Sequence, residues 1–107
     1  MDLIEFLRAR LAEDEAAASA EARGWETGSR YEGQPLAWVQ HVRRWPVDRV
    51  LAEVAAKRWL VDRAEHVMTR APNHAEVTAW LHVVQRLALP HADHPDYDES
   101  WRPDAQG

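Results

Sequence analysis

Apolar residues recur every three to four positions along most of this chain, which is the spacing of one face of an α-helix. The first apolar stripe lies near the N-terminus and consists of Leu3, Ile4, Phe6, Leu7 and Leu11. Asp2 precedes this stripe as a helix cap, Glu5 stands at the capping-box position, and Gly24 is the first residue that favours a helix end. The pattern therefore predicts a first helix over residues 2–23.

Glycine and proline divide the middle of the chain. Three of the four glycines fall within residues 24–35, so this segment is predicted to be a loop or a short hairpin. Residues 36–45 have helical spacing and are predicted to form a short helix that stops before Pro46. Proline is favoured in the first turn of a helix, so a longer helix is predicted from Pro46 to about Arg70.

The C-terminal third begins with a second capping box, formed by Asn73 and Glu76. The helix that follows is predicted to end before Pro90, and its apolar stripe is Val77, Trp80, Leu81, Val84, Leu87 and Ala88. The sequence shows neither strand-type alternation nor an internal repeat. It therefore predicts one all-α domain over residues 1–107: a small bundle of three longer helices with a short helix and a capped C-terminal helical turn.

The segment HADHPDYDESW, residues 91–101, combines acidic, imidazole and aromatic side chains. In the structural interpretation, Asp93 caps a helical turn with Pro95 in its first positions, and Tyr97 and Trp101 share a face that pins residues 90–107 to the core. Imidazole and carboxylate groups also suit zinc or manganese. The segment has no zinc consensus spacing, so no cofactor is predicted. The alternative is a metal-dependent hydrolase with the ligands His91, Asp93, His94 and Asp96.

Three segments of the chain carry a resemblance to a known family. They are MDLIEFLRARLAEDE at the N-terminus, DRVLAEVAAKRWLVD in the centre and the tail pattern LP-x-ADHPDY-x-x-x-W-R-P. Together they are similar to a family of small actinobacterial and actinophage proteins catalogued as a domain of unknown function. Such proteins commonly have Tyr at the position of His91, which counts against a metal role for that residue. The resemblance implies a phage-associated or actinobacterial setting and supplies no activity, cofactor or catalytic residue.

Composition and charge limit the function classes. The chain has no cysteine, which excludes disulfides, thiolate metal sites and cysteine nucleophiles. Signal-peptide and membrane-spanning patterns are absent, so a cytoplasmic protein with no membrane partner is predicted. The net charge of −5 disfavours nucleic acid, and a weak nucleic-acid binder that uses Arg43, Arg44 and Arg49 is kept as an alternative. Because no serine nucleophile motif or phosphate loop is present, an enzyme is not the preferred prediction.

The helix predicted from Pro46 has two apolar stripes. Val54 and Val61 share one face, and Leu60 lies nearly opposite, so the helix is either central in the bundle or contacts a second chain. Arg58 and Glu65 fall on the apolar face and are predicted to form a buried or half-buried ion-pair network that fixes the packing register.

Six tryptophans in 107 residues are more than one small core needs, and exposed tryptophan is common at protein interfaces. We therefore predict a non-catalytic interaction protein, which binds an unknown protein partner or forms a homodimer. The predicted interface consists of Trp38, Trp45, Ala56, Trp59, Leu60 and Val67.

Overall fold

The computed structural model describes the backbone of residues 1–27, 36–70 and 73–103, and the side chains of residues 1–23, 46–70 and 73–103. Helices account for most of this part of the chain and are α1 (Leu3–Thr27), α2 (Leu36–Arg70) and α3 (His74–Ala88). Two 3₁₀ turns follow, Leu89–His91 and Glu99–Trp101. The residues described include no strand, and the prediction of a small all-α bundle is confirmed.

Helix α1 begins where the sequence predicts and ends later. The Oδ1 atom of Asp2 accepts a hydrogen bond from the backbone N–H of Glu5 at 2.8 Å, which satisfies one of the free donors in the first turn. The helix continues through Gly24 to Thr27, so the predicted end at residue 23 is wrong. Glycine inside a helix costs only about 1 kcal/mol relative to alanine. The alanine-rich turns before it tolerate that cost.

The predicted loop and the predicted break at Pro46 also change. The first residues of the predicted loop 24–35 belong to α1, and residues 28–35 lie outside the described residues. Residues 36–45 do not form a separate short helix, because α2 is continuous and contains Pro46. Proline fits the first turn of a helix, but it can also lie inside one, although it removes a backbone hydrogen bond and its ring crowds the carbonyl four residues earlier. Local sequence does not separate these two cases.

Ion pairs hold α1 antiparallel to α2. The Arg8 guanidinium of α1 donates to Glu65 at 2.8 Å and to Asp62 at 2.9 Å. Further along the contact between the two helices, Arg58 of α2 donates a hydrogen bond to Glu15 of α1 at 2.6 Å. The predicted half-buried ion pairs of Arg58 and Glu65 are confirmed. Because all these groups are partly exposed, the pairs specify the register of the two helices more than they stabilise the fold.

The core lies where the three helices meet. The largest fully buried side chains come one from each helix and are Phe6 from α1, Val61 from α2 and Val84 from α3. The caps also support this arrangement, since the Asn73 side chain accepts from the backbone N–H of Ala75 at 2.9 Å at the start of α3. None of the helices, over the residues described, is long and apolar enough to cross a membrane.

Candidate functional site

The C-terminal tail packs on α1 through a ring cluster centred on Phe6. The Phe6 ring centroid lies 6.3 Å from His91, 5.7 Å from His94, 5.9 Å from Tyr97 and 5.1 Å from Trp101. The rings of Tyr97 and Trp101 meet edge to face at 5.6 Å. Such pairs contribute roughly 0.5–1.5 kcal/mol each beyond the burial of their area. The rings of Tyr97 and Trp101 therefore attach the described part of the tail to α1, as predicted, and residues 104–107 lie outside the described residues.

The cap of the tail differs from the predicted one. The Asp98 carboxylate, not that of Asp93, accepts from a helical turn, through the backbone N–H of Ser100 at 2.9 Å. This hydrogen bond lowers the pKa of Asp98 below its usual value. The preceding residues form turns, in which the N–H of Asp96 donates to Nδ1 of His94 at 3.0 Å. Several aspartates in this segment fit a capping position, and the structure uses Asp98.

Arg10 is a buried charged residue that sequence reasoning missed. Its side chain is on the Phe6 face of α1, the residue is 6% exposed, and its Cζ atom lies 5.0 Å from the Phe6 ring centroid. One guanidinium nitrogen contacts Nε2 of His94, and the other donates to Glu13 at 3.0 Å. The signal was the i to i+4 spacing from Phe6 to Arg10, which places both on one face. The contact between Arg10 and His94 therefore joins α1 to the tail, whereas Nε of Arg10 is buried without a hydrogen-bond partner among the described residues.

Burial in this cluster affects the second histidine. Desolvation lowers the pKa of His91, and the positive charges of Lys57 and Arg10 act in the same direction, while Asp14 opposes them. The imidazole of His91 is therefore held in its neutral form near neutral pH. A neutral ring packed against Phe6 serves the fold and faces no reacting group in the described structure.

A second set of polar and aromatic residues lies on α2 and faces solvent. Trp59, Arg63, His66 and Arg70 are exposed and recur every three to four residues, so they form one row, which we term the outer face of α2. Trp59 is 62% exposed. Only Trp59 of this row was predicted as a site residue. The helical spacing of the other three was visible in the sequence, but their exposure was not.

Comparison with known proteins identifies the family to which this fold belongs. The family model described as "Family of unknown function (DUF6221)" matches residues 1–103. The chain belongs to this family. The match extends over the three helices and the tail that packs on α1, and it confirms the resemblance to a family of unknown function that three segments carry. No curated protein and no solved structure matches the chain.

The four residues of the metal alternative are not brought together in this family member. The rings of His91 and His94 pack against Phe6, whereas Asp93 and Asp96 are exposed. Over the described ranges, no group of three or more histidine or carboxylate side chains is arranged to hold a metal ion. The tail cluster is therefore an aromatic contact between the tail and α1.

The predicted interface residues fall into three groups. Ala56 and Trp59 are exposed, and Leu60 is half-buried beside them. Val67 is 5% exposed, so its side chain is already covered within one chain. Trp38 and Trp45 belong to α2, and their side chains lie outside the described residues, as do those of Arg43 and Arg44. Arg49, the third residue of the nucleic-acid alternative, donates to Glu53 at 3.1 Å.

Proposed function

We propose that this chain is a non-catalytic interaction protein, which binds another protein or a second copy of itself through the outer face of α2. The observation that carries the proposal is the exposure of Trp59, at 62%, in the middle of a helix whose opposite side is packed. Tryptophan buries 150–250 Å² of surface when it is covered, and it is enriched among the residues that dominate binding energy. An exposed tryptophan on a rigid helix is therefore suited to be an interface anchor.

The support from behind this surface matters for binding. Val54, Val61 and Ala64 of α2 belong to the buried core, so the helix that presents Trp59 is held in place by its other side. A surface that is already ordered loses little conformational freedom when a partner binds, which favours affinity. Leu60 and Ala56 adjoin Trp59 and extend the apolar part of this surface. A cytoplasmic, phage-associated setting is part of the same proposal and rests on composition and on the family resemblance.

The test places a photo-reactive benzoylphenylalanine at Ala56, next to Trp59, and irradiates the protein in a bacterial lysate. The matched control carries the same group at Ala79, an exposed alanine of α3. We expect a discrete adduct from position 56 that is lost when Trp59→Ala is added, and none from position 79. Adducts of equal yield from both positions, or none from position 56, would contradict the proposal.

Self-association is separated from binding to another protein by sedimentation. If the partner is a second copy, wild-type protein is expected to sediment as a dimer at micromolar concentration and the adduct to have twice the chain mass. Ala56→Glu should then give a folded monomer, because a buried carboxylate without a partner is costly. Ala56 is a better position than Leu60 for this test, since Leu60 is half-buried and its replacement also perturbs the fold.

A further inference from the structure

Two of the four residues on the outer face of α2 are arginines. Beyond Trp59 it presents Arg63, His66 and Arg70, all of them exposed. Within the described part of the chain, neither Arg63 nor Arg70 forms an ion pair. At 1.5 Å per residue the row from Trp59 to Arg70 is about 16 Å long. Two arginines that form no ion pair with any described residue, on a chain with a net charge of −5, are a local feature that the overall charge conceals.

The carboxylates nearest to this row already form ion pairs with an arginine of α1. Asp62 and Glu65 lie between the row's residues along the helix, and both accept hydrogen bonds from Arg8 of α1. This contact lowers the pKa of Glu65, which therefore stays ionised and paired. Arg8 thus draws the neighbouring negative charge toward the groove between α1 and α2. The positive charge of Arg63 and Arg70 is left for an external partner.

The turns that precede Trp59 have small side chains. Ala52, Ala55 and Ala56 are all exposed and lie on the same side of α2 as Trp59. Small residues let a second helix approach to the short end of the usual 8–10 Å interaxial distance. Trp59 therefore stands between a surface that admits a close helix and a row that attracts carboxylates.

We infer that the partner presents an acidic amphipathic helix to the outer face of α2. This inference rests on the proposed function and names the chemistry of the partner. Arg63 and Arg70 are seven residues apart, so carboxylates at positions i and i+7 of a partner helix, two turns apart, match their separation of about 10 Å. An apolar residue of the same helix would cover Trp59. A nucleic acid fits less well, because two arginines neutralise few phosphates and the net charge of −5 opposes the approach of a polyanion.

The inference is tested with a defined probe. The probe is a fluorescein-labelled synthetic helix of about 20 residues with leucines on one stripe and glutamates at i and i+7 beside it, a length and spacing chosen for a stable amphipathic helix. A matched peptide has glutamine in place of each glutamate. Binding is followed by fluorescence anisotropy with wild-type protein, with Arg63→Gln plus Arg70→Gln, and with Lys57→Gln as the control. Lys57 is another exposed cation of α2 outside the row, and it makes no ion pair in the described structure.

We expect the glutamate peptide to bind wild-type protein and the double arginine variant to bind it about tenfold more weakly, as two exposed charge pairs would allow. The Lys57→Gln control should bind like wild type, and the glutamine peptide should bind as weakly as the glutamate peptide binds the double variant. Failure of the glutamate peptide to bind overturns the inference. So does displacement of the peptide by duplex DNA that depends on the same two arginines.

The acidic-partner inference and the proposed function are contradicted by different results. If both peptides bind equally well and Trp59→Ala abolishes both, the surface binds proteins but its charge does not select them, and only the acidic-partner inference is wrong. If Trp59→Ala changes neither peptide binding nor the photo-adduct from position 56, the proposed function itself is wrong.

Discussion

The Phe6 ring cluster and the outer face of α2 have similar residue types and opposite environments. Both contain aromatic rings beside arginine and histidine. In the ring cluster, Arg10 of α1 and His94 of the tail contact each other. On α2, Trp59 and Arg63 face solvent. Aromatic and charged residues occur together in both regions. Whether they stabilise the fold or remain exposed to a partner depends on how the helices and the tail pack.

The largest effect is expected at the centre of the ring cluster. Phe6→Ala should lower the free energy of unfolding by about 4 kcal/mol, because the ring is fully buried and its removal leaves a cavity beneath the tail. Urea unfolding followed by far-ultraviolet circular dichroism measures this. If the variant does not fold, Phe6→Leu should still fold with a loss of about 1.5 kcal/mol. An unchanged midpoint for either variant would mean that the cluster does not support the fold.

A matched pair of tryptophans compares the two regions directly. Trp101→Ala should cost about 3 kcal/mol, since this ring contacts both Phe6 and Tyr97. Trp59→Ala should change the free energy of unfolding by less than about 0.5 kcal/mol, because its side chain is mainly in solvent. Both values come from chemical denaturation under the same conditions. Equal losses for the two variants would remove the distinction between a fold-forming and a free aromatic residue.

Arg8→Gln should have a moderate effect on stability and a separate effect on binding. Its ion pairs to Asp62 and Glu65 are partly exposed, so the expected loss is about 0.5–1 kcal/mol. Removing the arginine also frees two carboxylates beside the cationic row, and the affinity for the glutamate peptide should fall. Denaturation and anisotropy measure the two effects. Weaker stability with unchanged peptide affinity would show that Arg8 does not influence the charge of the outer face.

The lowered pKa of His91 predicts how the stability of the fold changes with pH. The unfolded histidine titrates near 6.5 and its folded pKa is lower, so on acidification the unfolded chain binds the proton first. Stability should therefore be full above pH 6.5 and fall as the pH drops from 6.5 toward the folded pKa. His91→Gln should reduce the difference between urea midpoints at pH 7.5 and 5.5. His82→Gln, at an exposed histidine of α3, is the control and should leave that difference unchanged.

That pH window also separates the histidine from the carboxylates. Hydrogen bonds from Ser100 and from Arg102 lower the pKa values of Asp98 and Glu99, respectively. Their contributions to stability are present above the unfolded pKa values, near 4, and are lost only at lower pH. A loss between pH 7.5 and 5.5 that persists in His91→Gln would therefore point to another group.

Local signals predicted the parts of the fold that depend on neighbouring residues. The caps at Asp2 and Asn73 and the apolar stripe of α3 were readable because a cap needs one side chain and one nearby backbone N–H. Pro46 and Gly24 were misjudged because each residue permits a helix end without requiring one. The structure shows the helix continuing through both residues, and local sequence alone does not distinguish this outcome from a helix end.

The candidate sites were predicted less completely than the helices. Trp59 was identified from the excess of tryptophan, but Arg63 and Arg70 were not distinguished from any other surface cations. Arg63 and Arg70 remain without an ion pair among the described residues because the neighbouring Asp62 is paired with Arg8. That pairing joins residues 54 positions apart in the chain. In the same way, the histidines and aspartates of the tail suggested a metal site until the position of Phe6 showed that the imidazoles lie against its ring.

The packing of the tail on α1 also constrains when the protein can fold. The Phe6 ring is buried by side chains such as Trp101, which is synthesised after all three helices. A nascent chain that has made α1, α2 and α3 therefore still exposes one side of Phe6 and the buried Arg10. Domains whose contacts join distant chain positions must close long loops before those contacts stabilise them. The final packing of the first helix therefore requires the tail to have been synthesised, and a nascent chain that lacks the tail would present an apolar surface to chaperones and to other nascent chains.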